Sequence, residues 1–344
     1  MSFKLSICIP TFNRAEYIES TLQKILEQNC LGLQVVVADN ASSDNTESIV
    51  EQYIEKGLAI KYFRWPENMG ADNNYRKVAE LAEGEYLWFL GSDDWICAGA
   101  INTVIDKCES LHSDIYLCSE YLCDLEMRSY SAHYLLGKGT PDTTFTFPSR
   151  DQFLKYFNLA QSQSALFGYL SSIIVKKDRW SSVVYDHKYD GTLYSHMYIL
   201  YTILLQGATL HYISSPLVMW RSGNDSFGGK GRITERYLVD IDGFKMIIDD
   251  FFKSDHEITA AFVGVFRRHH PYKNIAYLRM HTPSKDVWRD ICRKLSHDYA
   301  YDSALLNILS LSVAPPLLKL LFIFYRIQIK MSRILYRILN KNDT

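Results

Sequence analysis

Asp93 and Asp94 stand side by side in the chain, directly after the apolar run Tyr86-Leu87-Trp88-Phe89-Leu90 and the break Gly91-Ser92. Two adjacent carboxylates repel unless a cation lies between them. Their oxygens suit hard divalent ions such as Mg2+ or Mn2+, which keep waters and take phosphate oxygens as further ligands. The chemistry on offer is a metal–diphosphate site. Ser-Asp-Asp is also common turn chemistry, so the pair taken alone leaves a solvated turn open.

The apolar run is too short for an ordinary helix and reads as a strand buried on both faces. Similar strand-like runs occur at Leu5 to Ile9, Leu33 to Ala38, Ile60 to Phe63 and Ile115 to Cys118. Between them lie helical patterns: Ile18, Leu22, Ile25 and Leu26; Thr46 to Ile54; Tyr75, Val78, Ala79 and Ala82, with Gly84 read as the end of that helix; and Gly99 to Leu111. Strands alternating with helices predict a mostly parallel sheet covered by helices. Each polar loop follows a strand end, so Thr11, Asn13, Asp39, Asn68 and Asp93–Asp94 are expected on one rim. No GxGxxG follows the first strand and no GxxxxGK[ST] occurs, which disfavours a dinucleotide fold and a P-loop NTPase.

Bulk properties bound the alternatives. The 344 residues carry a net charge of -2, without the basic excess of a nucleic-acid binder. With 47% hydrophobic and 22% charged residues a packed core is within reach. The 24 tyrosines suit a sugar cleft, and equally ordinary half-buried surface. The seven cysteines include no CxxC pair, so neither a disulfide framework nor a zinc site is indicated, and a reducing cytosol fits. Strand-like sequence begins at once, leaving no room for a signal peptide, and no run of ~20 apolar residues is present.

The stretches SICIPTFNR, VVVADNASSDNT, NMGADNNY and GEYLWFLGSDD, in this order over residues 5 to 95, resemble the inverting family 2 glycosyltransferases. The resemblance implies a GT-A-type, Rossmann-like α/β fold, a nucleotide-sugar donor and a divalent cation, Mg2+ or Mn2+. It implies that Pro10, Thr11 and Asp39 hold nucleobase and ribose. It places Asn13, Arg14, Asn40, Asn68, Asn74 and Ser92 among the donor-binding residues, Asp93 near ribose and metal, and Asp94 as the main metal ligand. Gly91 stands where many members carry a further Asp.

In the second half Tyr169 to Val175, Leu210 to Ile213 and Leu217 to Trp220 read as strands, and Met197 to Leu205 as an apolar helix ended by Gly207. The family usually opens this helix with Glu-Asp, whose Asp is the catalytic base; here Ser195-His196 occupies the place. Histidine is competent for proton abstraction at neutral pH. His196 is expected as general base, with Asp190 and Asp186 as carboxylate alternatives. Arg221 matches an Arg after the last strand in many relatives and would contact the diphosphate. Residues 124 to 164 carry little readable pattern.

GYLSSIIVKKDRW and LHYISSPLVMWRSGNDSF resemble, more narrowly, bacterial O-antigen transferases of the abequosyltransferase type, which add a 3,6-dideoxyhexose. That implies a CDP-sugar such as CDP-abequose and an undecaprenyl-diphosphate-linked oligosaccharide acceptor, in lipopolysaccharide synthesis at the cytoplasmic face of the inner membrane. The expected layout is 1–123 nucleotide-sugar-binding half, 124–228 acceptor-binding and catalytic half, 229–312 helical region and 313–344 basic amphipathic helix. In that last segment Lys319, Arg326, Lys330, Arg333, Arg337 and Lys341 keep within roughly 80° of one another on a helix, with apolar residues elsewhere, a pattern for a membrane interface. A helix packed on its own domain, or on a second copy in a homo-oligomer, is the other reading. Two rival functions remain: a sugar-phosphate nucleotidyltransferase, which would favour a Gly-rich triphosphate loop not seen here, and a non-catalytic nucleotide-sugar-binding scaffold, for which Ser195-His196 speaks.

Overall fold

A computed structural model describes residues 3–224 and 232–311. The N-terminal half runs β1 (Leu5–Thr11), α1 (Ala15–Leu26), β2 (Leu33–Asp39), α2 (Thr46–Glu55), β3 (Ile60–Arg64), α3 (Ala71–Leu81), β4 (Tyr86–Phe89), β5 (Trp95–Ile96), α4 (Ala100–Leu111) and β6 (Ile115–Cys123). Then follow β7 (Ser129–His133), β8 (Thr143–Thr146), α5 (Arg150–Leu159), β9 (Ile173–Lys176), α6 (Lys177–Ser181), α7 (Ser195–Leu205) and β10 (Thr209–Arg221). The C-terminal helices are α8 (Ile233–Ile247), α9 (His256–His269), α10 (Tyr272–His281), α11 (Lys285–Tyr299) and α12 (Ser303–Ser310). The basic segment 313–344 lies outside the described residues.

The strands form one sheet in the order β3-β2-β1-β4-β9-β6-β10-β5, with β7 on β6 and β8 on β10. β1 to β4 are mutually parallel, and β6 is parallel to β10. β9 runs antiparallel between β4 and β6, which keeps those two in one direction. The carboxyl ends of six strands therefore share one rim, where open α/β sheets place their ligands.

Alternation along each strand divides the core. Ile7, Ile9, Val35, Val37, Trp88 and Leu90 pack under α1, α2 and α4. Cys8, Val36, Ala38, Leu87 and Phe89 face α3, α5, α7 and the C-terminal helices. The latter layer explains why α7 is apolar almost all round: it is covered on several sides.

Three elements differ from the sequence reading. Gly84 does not cap α3, whose last turn ends at Ala82 in extended conformation. A Cβ on Gly84 would lie 2.6 Å from Ser6 N and 2.8 Å from Leu5 C, so the residue lets the chain run close against β1. The two expected strands after residue 209 are one, β10, interrupted by register shifts around Pro216; a proline is tolerated at such an irregularity. Leu170–Ser172 is a 3-10 turn rather than strand, and this turn delivers Ser171 to the carboxylates described next.

Candidate active site

Asp93 and Asp94 follow β4 on the shared rim, and their surroundings differ. Asp94 is buried. Its Oδ2 accepts from Tyr169 Oη (2.7 Å) and Ser171 Oγ (2.6 Å), and its Oδ1 from the Arg221 backbone N–H (3.1 Å). Burial, then the charge of Asp93, pushes its carboxyl up to about 7. Asp93 is half-buried. Its Oδ2 accepts from Asn224 Nδ2 at 2.7 Å, and Arg14 donates to Asn224 Oδ1 and O at 3.1 and 3.3 Å. Burial raises the Asp93 carboxyl too, opposed chiefly by the Arg14 charge.

The loop holding the pair is braced from several elements. Thr21 of α1 donates to the carbonyls of Ser92 (3.1 Å) and Asp94 (2.9 Å). Ser171 Oγ accepts from Gly91 N at 2.8 Å, and Trp88 Nε1 donates to Ser171 O at 2.9 Å. Arg221 does not project into the crevice. It is buried, its Nε donates to Asp93 O at 2.9 Å, another guanidinium nitrogen bonds Leu125 O, and its plane lies over Tyr17 and Trp95. The cation beside Asp93 on the nearer strand end is Arg14.

The residues expected to bind the donor cluster as their strand ends require. Asp39 ends β2 fully buried; its Oδ1 accepts from Ser42 N (2.8 Å) and its Oδ2 from Tyr62 Oη (2.8 Å). The Asx-turn geometry is thus present, and lone pairs remain on both oxygens. Asn13, at positive φ, accepts from Ser43 N through Oδ1 and donates its own N–H to Ser42 Oγ. Asn40 links to Asn68 Oδ1 and to Met69 N. Asn74 donates to Ala38 O and Thr11 O and accepts from Trp65 Nε1, so it fastens α3 to two strand ends. Thr11 Oγ1 is buried without a partner among the described residues, beside Pro10 at the end of β1.

The three expected bases have different surroundings. His196 is buried in the first turn of α7; Nε2 bonds Phe167 O at 2.8 Å, so that nitrogen carries the proton and Nδ1 the lone pair. Nδ1 has no partner among the described residues. Burial lowers the His196 pKa, and the charge of Asp72 opposes that. Asp72, which sequence reading missed, reaches from α3 to accept the N–H groups of Leu193 (2.9 Å) and Ser195 (3.2 Å). Asp190 is shared by Arg76, Tyr185 and His187, and its pKa is lowered. Asp186 caps the short turn His187–Tyr189 through Lys188 N and pairs with Lys188 Nζ.

Among the described residues no group of three or more His, Cys, Asp or Glu converges as a metal cage. A site of the Mg2+ or Mn2+ kind needs only one or two carboxylates when phosphates complete it. A buried and a half-buried carboxyl, both raised by burial and Asp94 further by the charge of Asp93, fit that need. A Cβ on Gly91 would stand 2.8 Å from Asp94 Oδ2 and 3.4 Å from Asp93 Oδ1, so a third side chain here would crowd the pair.

A mostly parallel sheet with helices on both faces and an acidic pair on its carboxyl rim is the arrangement of the GT-A fold. The match to the family model described as glycosyl transferase family 2 spans residues 6–177, and the chain belongs to that family. It is 36% identical over 275 residues to abequosyltransferase RfbV of Salmonella typhimurium, covering 78% of this chain and 81% of that protein. It is 26% identical to a GalNAc(5)-diNAcBac-PP-undecaprenol beta-1,3-glucosyltransferase of Campylobacter jejuni, covering 57% of this chain and 60% of the relative. In fold it is similar to TarS 1–349 of S. aureus in complex with UDP-GlcNAc (TM-score 0.58, 16% identity, 90% of each chain). It is similar also to a mannosyltransferase of Pyrobaculum calidifontis in complex with GDP-Man and Mn2+ (TM-score 0.55, 18% identity, 100% of this chain and 88% of that one).

Proposed function

We propose that this glycosyltransferase moves a sugar, with inversion, from a nucleotide-sugar donor to an undecaprenyl-diphosphate-linked oligosaccharide in O-antigen synthesis. The donor class we favour is a CDP-3,6-dideoxyhexose. The observation that carries the reading is the half-buried Asp93 carboxylate on the rim, with Asp94 beneath it and Arg14 across Asn224. Similarity over 78% of the chain to an abequosyltransferase supports the sugar class. A second relative named for an undecaprenol-linked substrate supports the acceptor class.

Asp93, rather than the enclosed Asp94, is the residue we assign as principal ligand of a divalent cation, with Asp94 as its support. Such an ion would supply charge stabilisation to the departing diphosphate. Thr11 Oγ1 and Asp39 would take nucleobase and ribose, and Arg14 would face the diphosphate. His196 would act through Nδ1: the acceptor oxygen attacks the anomeric carbon, the bond to the diphosphate oxygen breaks with its electron pair, and the hydroxyl proton passes to Nδ1. Burial keeps His196 neutral beforehand, and the Asp72 charge favours the imidazolium formed.

A panel of nucleotide-sugars, tested with the lipid-linked oligosaccharide that accumulates on deletion of the gene, should show one CDP-sugar giving cation-dependent CDP release. His196→Ala should lower turnover by about 10²–10⁴-fold; full activity there and loss in Asp190→Ala would move the base to Asp190. No release with any donor would end the transferase reading.

Among the described residues no helix is long and apolar enough to cross a membrane. We infer that the basic, apolar segment 313–344 holds the protein at an anionic lipid surface. Flotation with anionic vesicles should retain the full chain and lose a chain truncated before Pro315; equal flotation of both would remove this role.

A further inference from the structure

Arg267 and Arg268, in the last turn of α9, line a cleft of about 360 Å³ with Gly264, Pro271, Tyr272 and Tyr301. That volume is within the roughly 300–1,000 Å³ of small-molecule sites. Neither arginine is paired with a carboxylate among the described residues. Arg268 donates from Nε to Ala160 O at 2.8 Å and from Nη2 to Phe157 O, which fixes its plane. Its Nη1 is left over, and burial without an opposing acid lowers its pKa. Arg267 stands 5.6 Å from the centre of the Tyr301 ring. Asp302 is next in the chain to Tyr301, but its carboxylate is engaged in capping α12 through Ala304 N and Leu305 N.

Gly264 is an independent sign that space is kept open here. It lies inside α9, where glycine is less favourable than alanine. Its φ is not in the left-handed region, so no backbone conformation requires it. Outside the backbone of its own helix, a Cβ placed on it would meet one atom within 4 Å, Arg268 Nη1 at 3.4 Å. Packing therefore does not require glycine either. The missing side chain leaves the cleft open beneath that guanidinium nitrogen.

A guanidinium held by carbonyls, a second one beside it and no carboxylate partner for either make a receptor for a phosphate group. The neighbourhood indicates which phosphate. Tyr272 and Tyr301 pack edge to face at 5.4 Å, and Tyr272 Oη accepts from Asp302 N at 2.7 Å, which ties the cleft to the start of α12. Leu306 of that helix is buried, whereas Leu305, Ile308 and the following Leu311 recur every three residues and are 44%, 57% and 55% exposed. Arginines, tyrosines and exposed aliphatic side chains together are the composition of a lipid–water boundary. A free phosphate ion would gain nothing from the aliphatic face. The chain also runs from Leu311 directly into the basic, apolar segment 313–344.

We propose that this cleft is a headgroup site for an anionic phospholipid, with Arg267 and Arg268 Nη1 on its phosphate and Leu305, Ile308 and Leu311 against its acyl chains. The site is separate from the acidic pair and does not rest on the transferase reading. The test uses the full chain and vesicles of phosphatidylcholine with about one third phosphatidylglycerol, at physiological salt. Two variants keep the net charge: Gly264→Leu fills the cleft, and Arg267→Lys removes a fork while leaving a cation. Vesicle affinity should fall about tenfold in the first and about threefold in the second, with unchanged circular dichroism. Wild-type affinity in both variants would overturn the site, because attraction of net charge to the surface would then account for binding. Inorganic phosphate, titrated by calorimetry, is the second arm. Phosphate binding that Gly264→Leu abolishes while vesicle binding persists would overturn the lipid as occupant and leave a free-phosphate site. Failure of the wild type to bind the vesicles would overturn the proposal outright.

Discussion

Asp93→Ala is expected to cut sugar transfer by about 10²–10³-fold or more while the melting temperature at pH 7 holds or rises slightly. The two parts of this expectation have one cause. Asp93 presents its carboxylate at the half-buried rim, where a cation and a diphosphate would meet, so its loss removes charge stabilisation of the leaving group. In the donor-free protein the same carboxylate is a burden, because it lies beside a buried Asp94 whose pKa it raises. Removing it leaves Asn224 Nδ2 without that acceptor, a loss at a half-buried position, and relieves a like-charge contact in a poorly solvated place. Transfer assays over a titration of Mn2+, with thermal unfolding of the same samples, separate the effects. Activity recovered by excess cation would show that Asp93 only tunes affinity. Retention of most activity at all cation levels would remove it as a ligand.

The acidic pair was legible because a short aromatic run followed at once by two carboxylates is a local pattern, and so was the parallel half of the sheet. The supports of the pair were not. Tyr169 and Ser171 come from 75 and 77 residues away, in a segment whose apolar letters read as strand. Local periodicity carries no record that a 3-10 turn will rotate a serine toward Asp94. Arg221 shows the opposite case. The family resemblance sets it against the diphosphate just after the last strand; in the fold it is the last residue of β10, and Tyr17, Trp95 and the Asp93 carbonyl enclose it.

Asp72 and Glu120 make the same point elsewhere in the fold. Asp72 sits in a stretch that the sequence assigns to a helix start and to the donor crevice, yet it closes the first turn of α7 across 121 and 123 residues. In this chain a carboxylate from α3 thus stands at the helix end where the family resemblance leads one to expect Glu-Asp on the helix itself. Glu120 lies in the extension of β6 that the sequence reading cut short at Cys118. A charged residue after an apolar run is normally taken as the strand's end. Here the strand continues because His133 and Ser164 satisfy one carboxylate oxygen inside the sheet layer.

The pH dependence of stability should report the acidic pair directly. Asp94 has a reference value of 3.8 and is pushed up to about 7 in the fold by burial and by Asp93. Between those values the native state binds the extra proton, so stability falls as pH rises. The contribution is fully present below about pH 4 and is lost as pH climbs through about 7, with a full range on the order of 4 kcal/mol. Other groups titrate in the same interval, so the quantity to measure is the difference between wild type and Asp94→Asn, which keeps the size and one acceptor oxygen without the charge. That difference in melting temperature, followed from pH 4.5 to 8 without divalent cations, should move steadily against the wild type. Adding Mn2+ with CDP should shrink the slope, because a cation at the pair favours the ionised carboxylates that pH otherwise makes costly. A difference that is flat with pH would show that Tyr169, Ser171 and the Arg221 N–H hold Asp94 ionised without help. The case for a cation would then lose its electrostatic motive and rest on Asp93 alone.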